Sequence, residues 1–86
     1  MDSQQVADRV RAEVLRLLGG DAVFQDTDPL ADHGLDSLSS VELTLDLEAA
    51  FGLVFEDEEL AFENFATVQG IVSLISAKLG LVAAGG

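Results

Sequence analysis

The chain has 86 residues, a mass of 9.0 kDa, no cysteine, tryptophan or tyrosine, and 16 acidic residues against four basic ones, a formal net charge of -12. A chain this short buries only about two thirds of its unfolded surface, enough for one domain with one small core and little room for an enclosed substrate pocket; with no Cys and a single His33 it has no disulfide, thiolate nucleophile or metal cluster to draw on. The negative field repels phosphate backbones and anionic lipid heads, so nucleic acid and membrane surfaces are poor partners and basic protein surfaces good ones.

From Ser3 to Leu18 the apolar residues Val6, Val10, Val14, Leu17 and Leu18 recur at helical spacing, with Asp2 or Ser3 to cap the start and Gly19-Gly20 to end it. Gly19 to Leu35 has no sustained period. Structureless stretches of this length are uncommon in compact domains and usually functional, and Phe24, Leu30 and Leu35 are the residues expected to pin it to the core. Asp36 opens a second helix that runs to Phe51 and stops at Gly52. Leu53 to Phe65 is expected to contribute one or two turns of a short third helix. Thr67 caps the last long helix, whose inward stripe is Val68, Ile71, Val72, Ile75 and Leu79, and Gly80 ends it; Gly70 inside it points to close packing. The expected fold is all-α, a small four-helix bundle of three longer helices and one short one with a long loop between helices 1 and 2, over residues 1–80, and a flexible C-terminal tail at 81–86. Hydrophobic residues make up 49% of the chain, too many for an acidic disordered tail. No apolar run approaches the roughly 20 residues of a membrane span, and Met1-Asp2-Ser3-Gln4-Gln5 lacks the basic and apolar regions of a signal peptide, so the expected location is cytoplasmic.

The second helix carries two apolar faces. Leu43, Leu47, Ala50 and Phe51 fall in one arc and form the natural core face, while Leu38, Val41 and Leu45 fall roughly opposite, flanked by Glu42 and Glu48. An apolar centre with an acidic rim is how a docking surface for a basic partner is built. Scattered surface leucines, or cover by the short third helix, would explain the second stripe equally well, and spacing alone leaves this open.

Gly34-Leu35-Asp36-Ser37-Leu38 places the Ser37 hydroxyl in the first turn of this helix, where unpaired backbone N–H groups and the positive end of the dipole favour an esterified phosphate. A capping role is the plainer reading of such a serine. A Ser37-His33-Asp36 catalytic triad fails because the three lie within five residues and there is no Gly-x-Ser-x-Gly elbow. The acidic loop is not a calcium site either: an EF-hand register from Asp26 puts Leu30 at a ligand position and Ala31 where glycine is needed.

Asp28-Pro29-Leu30, Gly34-Leu35-Asp36-Ser37-Leu38, Val41-Glu42-Leu43, Leu47-Glu48, Phe51 and Ala66-Thr67-Val68 together resemble the acyl carrier and peptidyl carrier family over nearly the whole chain. The resemblance implies that Ser37 carries 4′-phosphopantetheine, transferred from coenzyme A by a phosphopantetheinyl transferase with magnesium, and that acyl groups ride as thioesters on that arm. It implies that Asp36 assists the transferase and its metal, and that Leu38, Val41, Glu42, Leu45 and Glu48 meet partner enzymes. It implies a monomer that is a carrier and not an enzyme, served by an acyltransferase or an adenylating or loading enzyme and by ketosynthase, condensation or tailoring enzymes with basic docking patches. Phe55-Glu56-Asp57 stands where fatty-acid carriers often have a proline, and Leu60 to Phe65 is longer and more aromatic; both features resemble discrete carriers of specialised pathways, polyketide, aminoacyl and D-alanyl carriers among them. Two alternatives stand beside this reading. The terminal Gly85-Gly86 suits a ubiquitin-like sulfur carrier, whose fold needs strands, and an acidic helix suits an interaction module with no prosthetic group.

Overall fold

The computed structural model describes residues 2–80, which form three α-helices joined by two long irregular connections. Helix α1 spans Ser3–Leu18, α2 spans Ser37–Phe51 and α3 spans Val68–Lys78. Each begins at a side-chain cap. The Asp2 carboxylate accepts the Gln5 N–H while Gln5 reaches back to the Asp2 N–H, Asp36 accepts from Ser39, and the Thr67 hydroxyl accepts from Gly70, so each helix start satisfies a backbone donor that its geometry orphans. Helix α2 ends at Gly52, whose φ of 64° is open to glycine at little cost and strains other residues.

The core is built from Val6, Val10 and Val14 of α1, Leu43 and Leu47 of α2, and Val68, Ile71 and Ile75 of α3, all fully buried. Leu30 and Leu35 from the first connection and Phe55 and Phe65 from the second complete it. The expected anchors of the first connection are therefore in place, with Phe24 packed part-buried against the same cluster. Val72, Leu79, Ala50 and Phe51 lie at its edge, half-buried.

The fourth, short helix is replaced by two 3-10 turns, Asp57–Leu60 and Phe62–Asn64. The Glu59 side chain accepts the Glu56 N–H at the start of the first turn, and Ala61, extended at φ -59° and ψ 141°, breaks the segment before a helical hydrogen-bond ladder can propagate. A third 3-10 turn, Leu30–His33, occupies the first connection. That connection is bonded to the start of α3 by Leu30 N–H to the Ala66 carbonyl (2.8 Å) and by Gln69 N–H to the Asp26 carbonyl (2.9 Å). Gly70 is explained by closeness: a Cβ there would meet the Asn64 carbonyl and the Thr67 hydroxyl at 3.3 Å. Among the described residues there is no strand, which overturns the ubiquitin-like alternative; Gly85, Gly86 and the expected tail lie outside those residues.

All four cations are spent inside the fold. Arg11 grips Asp26 through both carboxylate oxygens (2.7 and 2.6 Å) and ties the first connection to α1, Arg9 and Arg16 share Glu13, Arg16 reaches Asp46 on α2, and Lys78 meets Glu59 at 2.8 Å. The Arg11 bond holds the Asp26 carboxyl below the usual range, as the Gln25 N–H and then His33 do for Asp28, and the Glu56 N–H and then Lys78 for Glu59. A carboxyl whose folded pKa is depressed stabilises the fold above its ordinary value, 3.8 for aspartate and 4.5 for glutamate, and that contribution is lost as pH falls through the folded value. Melting temperature should therefore stay level from neutral pH down to about 5 and drop below about 4, measured by circular dichroism; a level curve through about pH 2 would show that these bonds contribute nothing.

Candidate phosphopantetheine attachment site

Helix α2 owes its start to Asp36. Its backbone is extended at φ -96°, its Oδ1 accepts the Ser39 N–H at 2.8 Å, and its carbonyl accepts the Ser40 N–H at 2.9 Å. The Ser39 N–H, assisted by the Ser39 side chain, holds the Asp36 carboxyl below the usual carboxylate range, so it is ionised at neutral pH. Because Asp36 caps, Ser37 does not. Ser37 is the first residue of the helix, exposed, and its hydroxyl makes no hydrogen bond to a described residue. The plainer reading of Ser37 as a helix cap is thereby replaced: the cap is its neighbour, and the serine oxygen is free and accessible. His33 gives no base for it, since its Nε2 is engaged with Asp28 at 3.1 Å.

Gly34, with φ 100°, turns the chain out of the 3-10 turn, and the Leu35 N–H bonds back to the Leu30 carbonyl at 3.1 Å. Leu35 is buried, so the chain emerges from the core one residue before the Asp36 cap and presents Ser37 at the surface.

The second apolar stripe of α2 is open. Leu38, Val41 and Leu45 are 82%, 58% and 60% exposed, so neither the 3-10 turns nor the first connection covers them. Glu42 is exposed and forms no ion pair among the described residues, as do Glu56, Asp57 and Glu58. Glu48 behaves differently. It is half-buried, and its Oε2 accepts the Phe55 N–H at 2.8 Å, which makes it a bracket for the second connection as well as a member of the rim. That bond spans seven residues and has no periodic signature, so sequence reasoning missed it.

Beside this stripe lies an open cleft of about 320 Å³ lined by Ser40, Val41, Thr44, Leu45, Glu48, Leu60 and Phe65. It starts one turn along α2 from Ser37, between that helix and the second connection. Ser40, Thr44, Leu60 and Phe65 were not foreseen as its walls. The spacing of Ser40, Thr44 and Glu48 by four residues was the signal available for two of them. Phe65 packs edge-on against Phe55 with ring centroids 5.2 Å apart, and Lys78 lies 5.9 Å from the Phe55 ring while bonded to Glu59, so this wall is pinned to α3.

A prosthetic phosphodiester fits these residues. The serine oxygen has no hydrogen-bond partner among the described residues, it stands at the first position of a 15-residue helix, and an apolar cleft begins one turn further along that helix. No group of three or more metal-ligating side chains occurs among the described residues, and none of their helices is long and apolar enough to cross a membrane.

The family model for the phosphopantetheine attachment site matches residues 8–75. The chain belongs to this family. It is a phosphopantetheine-dependent carrier, and the carrier is 35% identical over 79 residues to the acyl carrier protein of Thermotoga maritima, covering 90% of this chain and 95% of that one. It is 37% identical over 78 residues to aminoacyl carrier protein 2 of Bradyrhizobium diazoefficiens, covering 87% and 88% respectively. Its fold matches a chain in the crystal structure of a Bradyrhizobium japonicum glycine:[carrier protein] ligase complexed with glycylated carrier protein, with a TM-score of 0.75 and 25% identity over 80% of this carrier and 96% of that chain.

Proposed function

We propose that Ser37 is the residue that receives 4′-phosphopantetheine and that the protein carries acyl or aminoacyl groups to a succession of partner enzymes without catalysing their reactions. The observation that carries this reading is the free, exposed hydroxyl of Ser37 at the first position of α2, released from capping by Asp36. The arm, when attached, supplies the thiol that this cysteine-free chain lacks and holds the cargo as a thioester. The chain's own part is to present the serine oxygen, to steer partners and to shelter what the arm bears. Asp36, ionised beside the hydroxyl, serves the magnesium ion that a transferase brings. The apolar cleft beginning at Ser40 is the place for an acyl chain, and its side-wall hydroxyls also suit an aminoacyl group.

Leu38, Val41, Glu42 and Leu45 are read as the docking face, with Glu48 contributing to it from its bracket position. Partners include a phosphopantetheinyl transferase, an acyltransferase or an adenylating or loading enzyme, and ketosynthase, condensation or tailoring enzymes whose docking patches are basic. The setting is a cytoplasmic one, the carrier monomeric, the pathway polyketide, fatty-acid or related natural-product biosynthesis, with peptidyl or D-alanyl carriage as the second reading. Intact-mass and fragment mass spectrometry of the protein from its native host tests this directly. A phosphopantetheinyl group on Ser37, with its cargo, is the expected result; the arm on Ser39 or Ser40, or none, would overturn it.

The two acids of the rim should separate in experiment. Glu42→Lys should slow acyl transfer several-fold at low salt and leave the melting temperature nearly unchanged, because the residue is exposed and unpaired. Glu48→Gln, which weakens the acceptor for the Phe55 N–H, should cost about 1 kcal/mol in urea titration, and Glu48→Ala about 1–3 kcal/mol, because that donor is then left unsatisfied. Equal destabilisation by Glu42→Lys and Glu48→Ala would show that the two acids play the same part.

A further inference from the structure

The sole histidine of the chain is not used by the function argued so far, yet it sits in the turn that leads to the serine. His33 closes the 3-10 turn Leu30–His33, and its Nε2 meets Asp28 Oδ2 at 3.1 Å. The same oxygen accepts the Gln25 N–H at 3.0 Å, and the Phe24 ring lies 6.0 Å from the imidazole at 55°. One side chain thus joins the 25–28 turn, the aromatic that anchors it and the turn leading through Gly34 and Leu35 to Asp36 and Ser37. The turn is held besides by the Leu30 side chain, fully buried in the core, and by backbone bonds from Leu30 to Ala66, from Asp32 to Pro29, from Gly34 to Ala31 and from Leu35 to Leu30. We propose that His33 is a positioning residue for Ser37: with Asp28 it forms a clasp that keeps the turn before the serine in the shape a docking enzyme requires.

The charges around the ring support a single partner. Asp28 is the only charged group within ion-pair distance of His33 among the described residues. Asp32, in the same turn, is exposed and without an ion pair; Arg11, from α1, is committed to Asp26 and Asp8; and the start of α3, Thr67 to Gln69, brings no charge. Asp28, an acceptor only, requires Nε2 to carry a hydrogen and to donate it to Oδ2. A loosened turn has to be ordered when an enzyme docks, and that cost falls on binding.

This inference rests on Ser37 as the attachment residue for what the clasp presents, whereas the clasp itself can be read without it. In His33→Ala at neutral pH, amide hydrogen exchange followed by nuclear magnetic resonance should be several-fold faster than in wild type for Gly34 and Leu35, whose N–H groups bond to Ala31 and Leu30, while core methyl resonances stay in place. Asp28→Asn, which keeps a side-chain oxygen and removes the charge, provides the second variant should the first lose its fold. With coenzyme A and one transferase, His33→Ala should be modified about two- to five-fold less efficiently than wild type, the range that an exposed pair commands, and the change should appear in KM with kcat held. Exchange at Gly34 and Leu35 that the variant leaves unchanged, or a KM equal to that of wild type, would overturn the clasp. A wild type that no transferase modifies would overturn the reading of Ser37 instead, and the exchange measurement would still decide the clasp.

Discussion

Ser37→Ala should abolish the mass gain that the wild-type chain shows on incubation with coenzyme A and a phosphopantetheinyl transferase, with the melting temperature unchanged within about a degree. The expectation combines total loss of modification with preservation of fold because the two jobs at this helix start fall to different residues. Asp36 caps the helix and Ser37 makes no bond to a described residue, so removing the hydroxyl removes no protein contact. Alanine is also the best helix former, which offsets any small change in backbone preference. Ser39→Ala and Ser40→Ala serve as controls and should be modified at wild-type extent. If Ser37→Ala still gained the group, the attachment point would lie elsewhere; if it unfolded, the hydroxyl would have a structural role that its exposure gives no sign of.

Leu47→Ala carries the largest expected effect on stability, a loss of about 2–5 kcal/mol in urea or thermal unfolding. Leu47 is fully buried in a core assembled from three helices and two connections, and truncating it removes apolar contact and leaves a cavity that a short chain has little material to fill. A domain of 86 residues has a total stability of about 4–13 kcal/mol, so this one change would bring the least stable case close to unfolding at room temperature. Leu45→Ala, two residues away on the same helix and 60% exposed, should move stability by no more than about 0.5 kcal/mol and should instead weaken transfer to partner enzymes. Similar destabilisation by the two substitutions would mean that the assignment of faces on α2 is wrong.

The contrast between these two leucines shows why the fold was legible and the use of its surface was not. Helix ends were readable because Asp2, Asp36 and Thr67 act on backbone donors within three residues of themselves, and the core stripes because burial follows the helical period. The short third helix was misjudged for the opposite reason. Asp57–Leu60 has local capping and helix-compatible residues, but the chain there must carry Phe55 and Phe65 into the core and Lys78 must reach Glu59, and two 3-10 turns separated at Ala61 meet those demands. Glu48 looked like any rim carboxylate until its bond to Phe55 came into view.

By itself the sequence determined helices in place of strands, the three long helices with their caps, a serine at a helix start and a set of spaced residues resembling carriers, because each of these depends on neighbours within a turn or two. Only the tertiary structure decided that the second apolar face of α2 is open, that the Ser37 side chain is exposed, that Glu48 is a bracket, and that a cleft beside α2 is walled by Leu60 and Phe65. Exposure and distant hydrogen bonds depend on how segments far apart in the chain pack against one another, and no local period encodes that.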